Sequence, residues 1–264
     1  MVRLISWNVA RRVSVLVEQA AAVGERAPDV LALQEVTART LPLWEAACAT
    51  LGLEHVACSL RGADPARAPA GPRRTGVLLA SRAPLAEEPA LQVPWPESAL
   101  AARTGGIEVH VVHVPNAANG LIKPRTLAAV RAGLAKRSGS RVLCGDLNTP
   151  RREHPDGNVW SFARDGRGRL REARAGFWDE SELGVVPGLR ELGFTDAFRA
   201  MNGYGSREPS WAFRHGGGWR LDHVFCSSEL RPAACAYHHD WRLRGLSDHS
   251  ALEADLAYEP DSGP

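Results

Sequence analysis

A chain of 264 residues, 44% of them apolar, can bury a substantial core, which excludes a short peptide or a disordered tail. Charged residues make up 23% of it, and no apolar run approaches the ~20 residues of a bilayer-crossing helix, so no membrane span is expected. The 32 basic side chains nearly balance the 30 acidic ones, and a net charge of +2 is too small for a polycation that coats nucleic acid indiscriminately.

The first residues, Met1-Val2-Arg3-Leu4-Ile5-Ser6-Trp7-Asn8, read directly as a strand (4–9) without the pattern of a signal peptide. A helix is predicted over 13–26, a buried strand over 30–36 after the Pro28-Asp29 turn, a helix over 41–51 and a strand over 53–59. The Gly-, Pro- and Arg-rich stretch 61–75 reads as a mobile loop. Strands are predicted at 76–81 and 107–114, and a helix at 121–137 with Pro124 in its first turn. A short strand over 142–144 runs into Gly145-Asp146-Leu147-Asn148-Thr149-Pro150. Residues 151–178 are polar and weakly periodic and read as an irregular excursion. A helix over 180–192 and strands over 210–214, 219–227, 233–239 and 250–257 complete the reading. No linker composition divides the chain, so one domain is expected over 1–258, with a tail over 259–264. The pattern is that of a layered α/β protein.

Five cysteines without CxxC spacing indicate neither a disulfide framework nor a zinc knuckle, and a reducing cytoplasm is the expected location. Cys144 has no paired histidine in any motif and reads as a small buried apolar residue. Only Lys123 and Lys136 are lysines; the other 30 basic residues are arginines, 16 of which lie in 61–82, 151–174 and 199–220. That clustering is compatible with one basic face, and equally with an ordinary solvated surface. His238-His239-Asp240 looks like a metal cluster, but alternation along a strand would send adjacent side chains to opposite faces.

Chemistry-bearing residues sit at the ends of apolar strands: Asn8, Gln34-Glu35, His113 to Asn116, Asp146 with Asn148, and Asp248-His249. Strand ends are rigid platforms on which several polar groups can converge without disturbing the core. Singly, each has an ordinary structural reading: Asn and Asp as turn residues, Glu35 as a salt-bridge partner, His113 as a core histidine. Together with their neighbours they form six ordered blocks: Ser6-Trp7-Asn8-Val9, Pro28 to Glu35, Val114-Pro115-Asn116-Ala117, Gly145 to Pro150, Gly218-Trp219-Arg220-Leu221-Asp222-His223, and Leu246-Ser247-Asp248-His249-Ser250.

In these blocks the chain resembles the endonuclease/exonuclease/phosphatase superfamily, and within it the exonuclease III type of apurinic/apyrimidinic endonuclease. The resemblance implies a DNase I-like, four-layer α/β sandwich, with two mixed sheets packed face to face between helices and the site at one open edge. It implies Glu35 as the principal divalent-metal ligand, Asp248 as a second acid near the metal, and Asn8 in the ligand shell. Asp146 would position or deprotonate the attacking water, with Asn148 beside it. His249 would face the scissile phosphate, oriented by Asp222. His113, where repair enzymes have Tyr, and Asn116 would hydrogen-bond phosphate. Trp211, Trp219 and Leu221 would wall a pocket for an extruded abasic sugar. Mg²⁺ is the implied cofactor, with Mn²⁺ as an alternative, and a monomer acting on DNA is the implied form.

Three departures bear on the branch, the first being His113 in place of Tyr. Ala10 and Arg11 stand where the repair enzymes have Asp or Asn followed by Gly, and Ala117-Ala118-Asn119-Gly120 lacks an Arg that some relatives insert into DNA. The rival readings are a phosphatase or phosphodiesterase acting on a small or lipid phosphoester, and a catalytically silent nucleic-acid-binding module.

Overall fold

The structure is a computed structural model that describes residues 1–61 and 74–258. Most of the 61–75 loop and all of the 259–264 tail therefore lie outside the described residues. In chain order the elements begin with β1 (Val2–Asn8), α1 (Leu16–Arg26), β2 (Val30–Thr37), α2 (Leu41–Thr50), β3 (His55–Cys58), β4 (Thr75–Ser81), β5 (Ala86–Glu88), β6 (Ala99–Thr104) and β7 (Ile107–His113). They continue with α3 (Ile122–Leu134), β8 (Arg141–Asp146), β9 (Arg152–Glu153), β10 (Val159–Trp160), α4 (Phe177–Val185), β11 (Phe194–Asp196) and α5 (Ala197–Asn202). The last are β12 (Trp211–Ala212), β13 (Gly218–Trp219), β14 (Asp222–Ser227), β15 (Leu230–His238), α6 (His239–Leu243) and β16 (Ala251–Tyr258).

Two six-stranded sheets form, in the orders β15-β16-β1-β2-β4-β3 and β11-β14-β8-β7-β6-β5. Both are mixed, because β1 runs parallel to β2 and β7 parallel to β8 while their other neighbours are antiparallel. Strand alternation explains the layers. Leu4, Ala32, Val77 and Leu79 of the first sheet meet Val109, Val111, Val142 and Val224 of the second in one buried cluster between the sheets. Residues one step along point outward: Ile5, Trp7, Leu31 and Leu33 pack on Leu16, Val23 and Trp44 of α1 and α2. On the opposite side Val112, Leu143 and Phe225 pack on Leu127, Val130 and Leu134 of α3. Burial on both faces is why these strands read as near-continuous apolar runs. The four-layer sandwich implied by the resemblance is the fold observed.

Some sequence expectations need correction. The helix over 180–192 is two pieces, since α4 begins at Phe177 and ends at Val185, and a 3-10 turn follows over Gly188–Leu192. Pro187 has no N–H to continue the first helix. The 219–227 strand is broken at Arg220-Leu221 into β13 and β14. The excursion over 151–178 carries a β9–β10 hairpin, and its Ser161 and Phe162 are anchored on Asp179 and Glu182 of α4 by bonds of 2.5 and 2.9 Å. His238 closes β15 and His239 opens α6, so the triplet is not on one strand; His238 bonds Glu253 at 3.0 Å and His239 bonds Ser250 at 2.9 Å. Cys144 is buried, and burial pushes its thiol up to about 12.

Candidate active site

The polar strand ends meet at one edge of the sandwich. Register puts Asn8 beside Gln34, His113 beside Asp146 across the parallel β7–β8 pair, and Asp222 beside Asp146 across the antiparallel β14–β8 pair. Because β16 runs antiparallel to β1, the Ser247-Asp248-His249 segment that precedes it lies by the end of β1. Ser247 donates to the Asn8 carbonyl at 2.6 Å, and the Trp7 indole donates to the His249 carbonyl at 3.0 Å. Glu35 owes its placement to a bulge. The β2–β4 register shifts between Leu33 and Val36, and Glu35 takes a left-handed backbone with φ of +59°, so that its side chain turns away from the ladder.

These ends line a cavity of about 370 Å³ that takes in Glu35, His113, Asn116, Asp146, Asn148, Trp211, Trp219, Leu221, Asp248 and His249. Asn8 and Asp222 are buried behind it. The Asn8 amide bridges two carboxylates, donating to Asp146 Oδ2 at 3.0 Å and Glu35 Oε1 at 3.3 Å. Its own oxygen accepts the Ala10 N–H at 3.0 Å, so Asn8 presents donors rather than a ligand oxygen. The Asn148 N–H donates to Asp146 Oδ1 at 2.9 Å, and its side chain is fixed on the Val114 carbonyl at 2.8 Å. His113 Nε2 stands 3.8 Å from both Glu35 and Asp146. Asn116 is drawn into a local turn, accepting from Ala118 N at 3.1 Å and Asn119 Nδ2 at 3.0 Å.

His249 and Asp222 form a buried pair, Nδ1 to Oδ2 at 2.8 Å, with His249 Nε2 3.8 Å from Asp146 Oδ2. Burial alone would lower the imidazolium, but Asp222 and Asp146 outweigh it and raise the ring to about 10. Burial also raises the Asp146 carboxyl, reinforced by Asp222 and opposed by His249. The result is a protonated imidazole aimed into the cavity beside a carboxylate more basic than usual. Asp146, Asp222 and His249 offer ligand atoms within 4.8 Å of one another, a spacing that fits a cation. The His249 nitrogen nearest Asp222 is already engaged, however, and both Asp146 oxygens accept hydrogen bonds, which favours Glu35 as the oxygen donor. Glu35 Oε2 supports this: it is buried, lies 2.9 Å from Arg11 Nε, and among the described residues accepts no hydrogen bond.

The far wall is aromatic. Trp211 and Trp219 stack at 5.2 Å, Phe213 meets both edge-on, and Phe162 packs on Trp219 at 4.9 Å. The Trp211 indole donates to Asp248 at 3.4 Å, tying this wall to the acidic rim. Arg220, between Trp219 and Leu221, turns the other way into a buried network with Glu153 at 2.7 Å and Asp196 at 2.6 Å, joined by Arg199. Two arginines of the 199–220 stretch are thereby interior ion-pair partners and not part of a basic face. Sequence reasoning did not select Arg11, Trp95, Ser98 or Asn119, all of which line the cavity. Arg11 had a signal, its place two residues beyond the Asn8-Val9 strand end; Trp95 and Ser98 had none.

The Endonuclease/Exonuclease/phosphatase family model matches residues 5–249. The DNA repair nuclease APEX1 of Danio rerio is 32% identical over 167 residues, which cover 55% of this chain and 47% of that protein. The match thus spans about half the length of that relative. An AP endonuclease from Archaeoglobus fulgidus superposes with a TM-score of 0.72 at 22% identity, covering 98% of this chain and all of that one. A 3′ phosphatase, NExo from Neisseria, bound to a product DNA hairpin, superposes at 0.68 with 20% identity and 98% of this chain covered. With a family model spanning nearly its whole length and the fold to match, the chain belongs to the Endonuclease/Exonuclease/phosphatase family, whose members hydrolyse phosphoester bonds.

Proposed function

We propose that this protein is a divalent-metal-dependent DNA nuclease, of the abasic-site endonuclease or 3′ exonuclease type, that hydrolyses phosphodiester bonds by in-line attack of water. The observation that carries the reading is the Asp222–His249–Asp146 array facing one cavity with Glu35. Asp146, made basic by burial and oriented by the Asn8 amide and the Asn148 N–H, takes the proton of the attacking water. His249, held as imidazolium by Asp222, donates from Nε2 to a phosphoryl oxygen as negative charge grows there. Glu35 would hold the ion, Mg²⁺ or Mn²⁺, with Asp248 at the rim; when bound it supplies Lewis-acid neutralisation of the phosphate. Trp211, Trp219 and Leu221 give the cavity an apolar side that accepts a sugar lacking its base. The names of the relatives, a DNA repair nuclease and an AP endonuclease, support the same substrate class.

A panel of abasic duplex, intact duplex, single-stranded DNA, RNA, a 3′-phosphorylated duplex and small phosphomonoesters, assayed with Mg²⁺, tests this. Cleavage at or beside the abasic site should exceed cleavage of the small esters by orders of magnitude. Preference for the 3′-phosphorylated end would favour the 3′ phosphatase reading that the Neisseria neighbour's name supports. Turnover of small esters alone would overturn a DNA substrate.

A further inference from the structure

The turn that follows β1 holds two consecutive residues in the left-handed region, Ala10 at φ +52° and Arg11 at +58°. L-residues adopt this conformation at a cost that glycine avoids, and such outliers gather where function holds them. The turn is pinned by the Ala10 N–H on Asn8 Oδ1 at 3.0 Å. It delivers Arg11 Nε to 2.9 Å from Glu35 Oε2. The contact is one of charge and not of direction, since among the described residues Oε2 accepts no hydrogen bond, and the Arg11 side chain is 59% exposed. Ala10 brings no carboxylate to this side of the cavity, so Glu35 is faced here by a cation instead of a second acid.

From this we infer that Arg11 tunes the divalent-ion affinity of the site by competing with the ion for Glu35. The inference rests on the metal reading given under Proposed function. A guanidinium and a divalent ion drawing on one carboxylate oxygen repel each other, so the ion binds more weakly than the carboxylates alone would allow. The loosely tethered guanidinium, once displaced, lies at the cavity mouth, where an anionic phosphodiester enters. Arg11 is thus a tuning residue and not a catalytic one. Neutralising it has two effects of opposite sign: ion binding tightens and substrate binding weakens.

The test is calorimetric titration of Mn²⁺ into the wild type, Arg11→Gly, Arg11→Gln, Arg11→Lys and Glu35→Gln at fixed ionic strength. Arg11→Gly and Arg11→Gln should both bind Mn²⁺ more tightly, on the order of 10-fold for loss of one nearby unit charge. Arg11→Lys should stay close to the wild type. At saturating Mn²⁺, the two neutral variants should show a raised KM for DNA with kcat little changed. Unchanged or weaker ion binding in both neutral variants would overturn the inference. Tightening in Arg11→Gly alone would overturn it too, by assigning the effect to the strained turn. If Glu35→Gln leaves Mn²⁺ binding untouched, the metal reading itself fails and this inference falls with it; if Glu35→Gln abolishes binding while the Arg11 variants change nothing, only the inference fails.

Discussion

Asp222 and His249 act as one unit only if the carboxylate works through the ring, and the 2.8 Å contact makes that testable. The double variant His249→Ala/Asp222→Ala should hydrolyse DNA scarcely more slowly than His249→Ala, and additive losses would show two independent contributions. The same pair fixes a pH dependence. The imidazolium is the active form, and Asp222 and Asp146 raise its pKa, so activity should persist through neutral pH and fall only as pH nears about 10. Asp222→Asn removes an anion, which lowers the ring's pKa, and the alkaline limb of kcat/KM should move down toward the ordinary histidine value of about 6.5. An unmoved limb would mean that another group is responsible. Part of this site was legible in the sequence as a set and not residue by residue. Glu35, Asp146 and His249 stand at apolar strand ends, each with an ordinary structural reading when taken alone, and their roles, like the choice of Asp222 within the expected 219–227 strand, came from the resemblance. Asn8 was legible as a site residue but not in its role, because only coordinates show its oxygen turned to the Ala10 N–H. Arg11 escaped selection although its place just past the strand end was a signal, because only coordinates show its guanidinium on Glu35.

At the scale of elements, the site depends on pieces that lie well behind it. Lys123 of α3 and Glu182 of α4 form an ion pair of 2.7 Å with no exposed surface, and burial pulls the Lys123 pKa down against the pull of Glu182. Glu182 also accepts from Thr149 at 2.6 Å, from Trp178 at 2.6 Å and from the Phe162 N–H at 2.9 Å. Glu182→Ala would strand the lysine and those donors, so a loss of about 3–5 kcal/mol is expected in urea unfolding. The double variant Lys123→Met/Glu182→Leu should recover part of it, and a loss under about 1 kcal/mol for Glu182→Ala would show that the pair does not hold these elements. Elements with a clear apolar pattern were readable from sequence, β1 and β2 as near-continuous apolar runs and α1 and α3 by the helical period. Those that were missed lack such a signal. Strand β6 is Ala-Leu-Ala-Ala-Arg-Thr, poor in β-branched residues, and β5 and β11 are three residues each. The over-extended 180–192 helix shows the converse, an apolar period continued through a proline that the backbone could not follow.

For the whole molecule, the sandwich itself was carried by resemblance, since periodicity yields strands and helices but does not say that two sheets face each other. What the sandwich adds to function is two walls on one cavity, an acidic and imidazole wall from the strand ends and an aromatic wall from β12 and β13. The walls should be separable. Trp219→Ala or Trp211→Ala is expected to slow incision at an abasic site while sparing hydrolysis of a small chromogenic phosphodiester, and equal losses on both would remove the pocket's role in choosing substrate. Incision at subsaturating DNA should also fall with added salt, and small-ester hydrolysis should not, because only a polyanion releases counterions on binding. The most direct measurement is incision of a duplex carrying one abasic site, with Mg²⁺, by the wild type and by Asp146→Asn. Incision at the lesion by the wild type, slowed about 10²- to 10⁴-fold by Asp146→Asn and lost in excess EDTA, is the outcome expected of a metal-assisted site with Asp146 as base. Full activity of Asp146→Asn, or an intact lesion after prolonged incubation with the wild type, would contradict it.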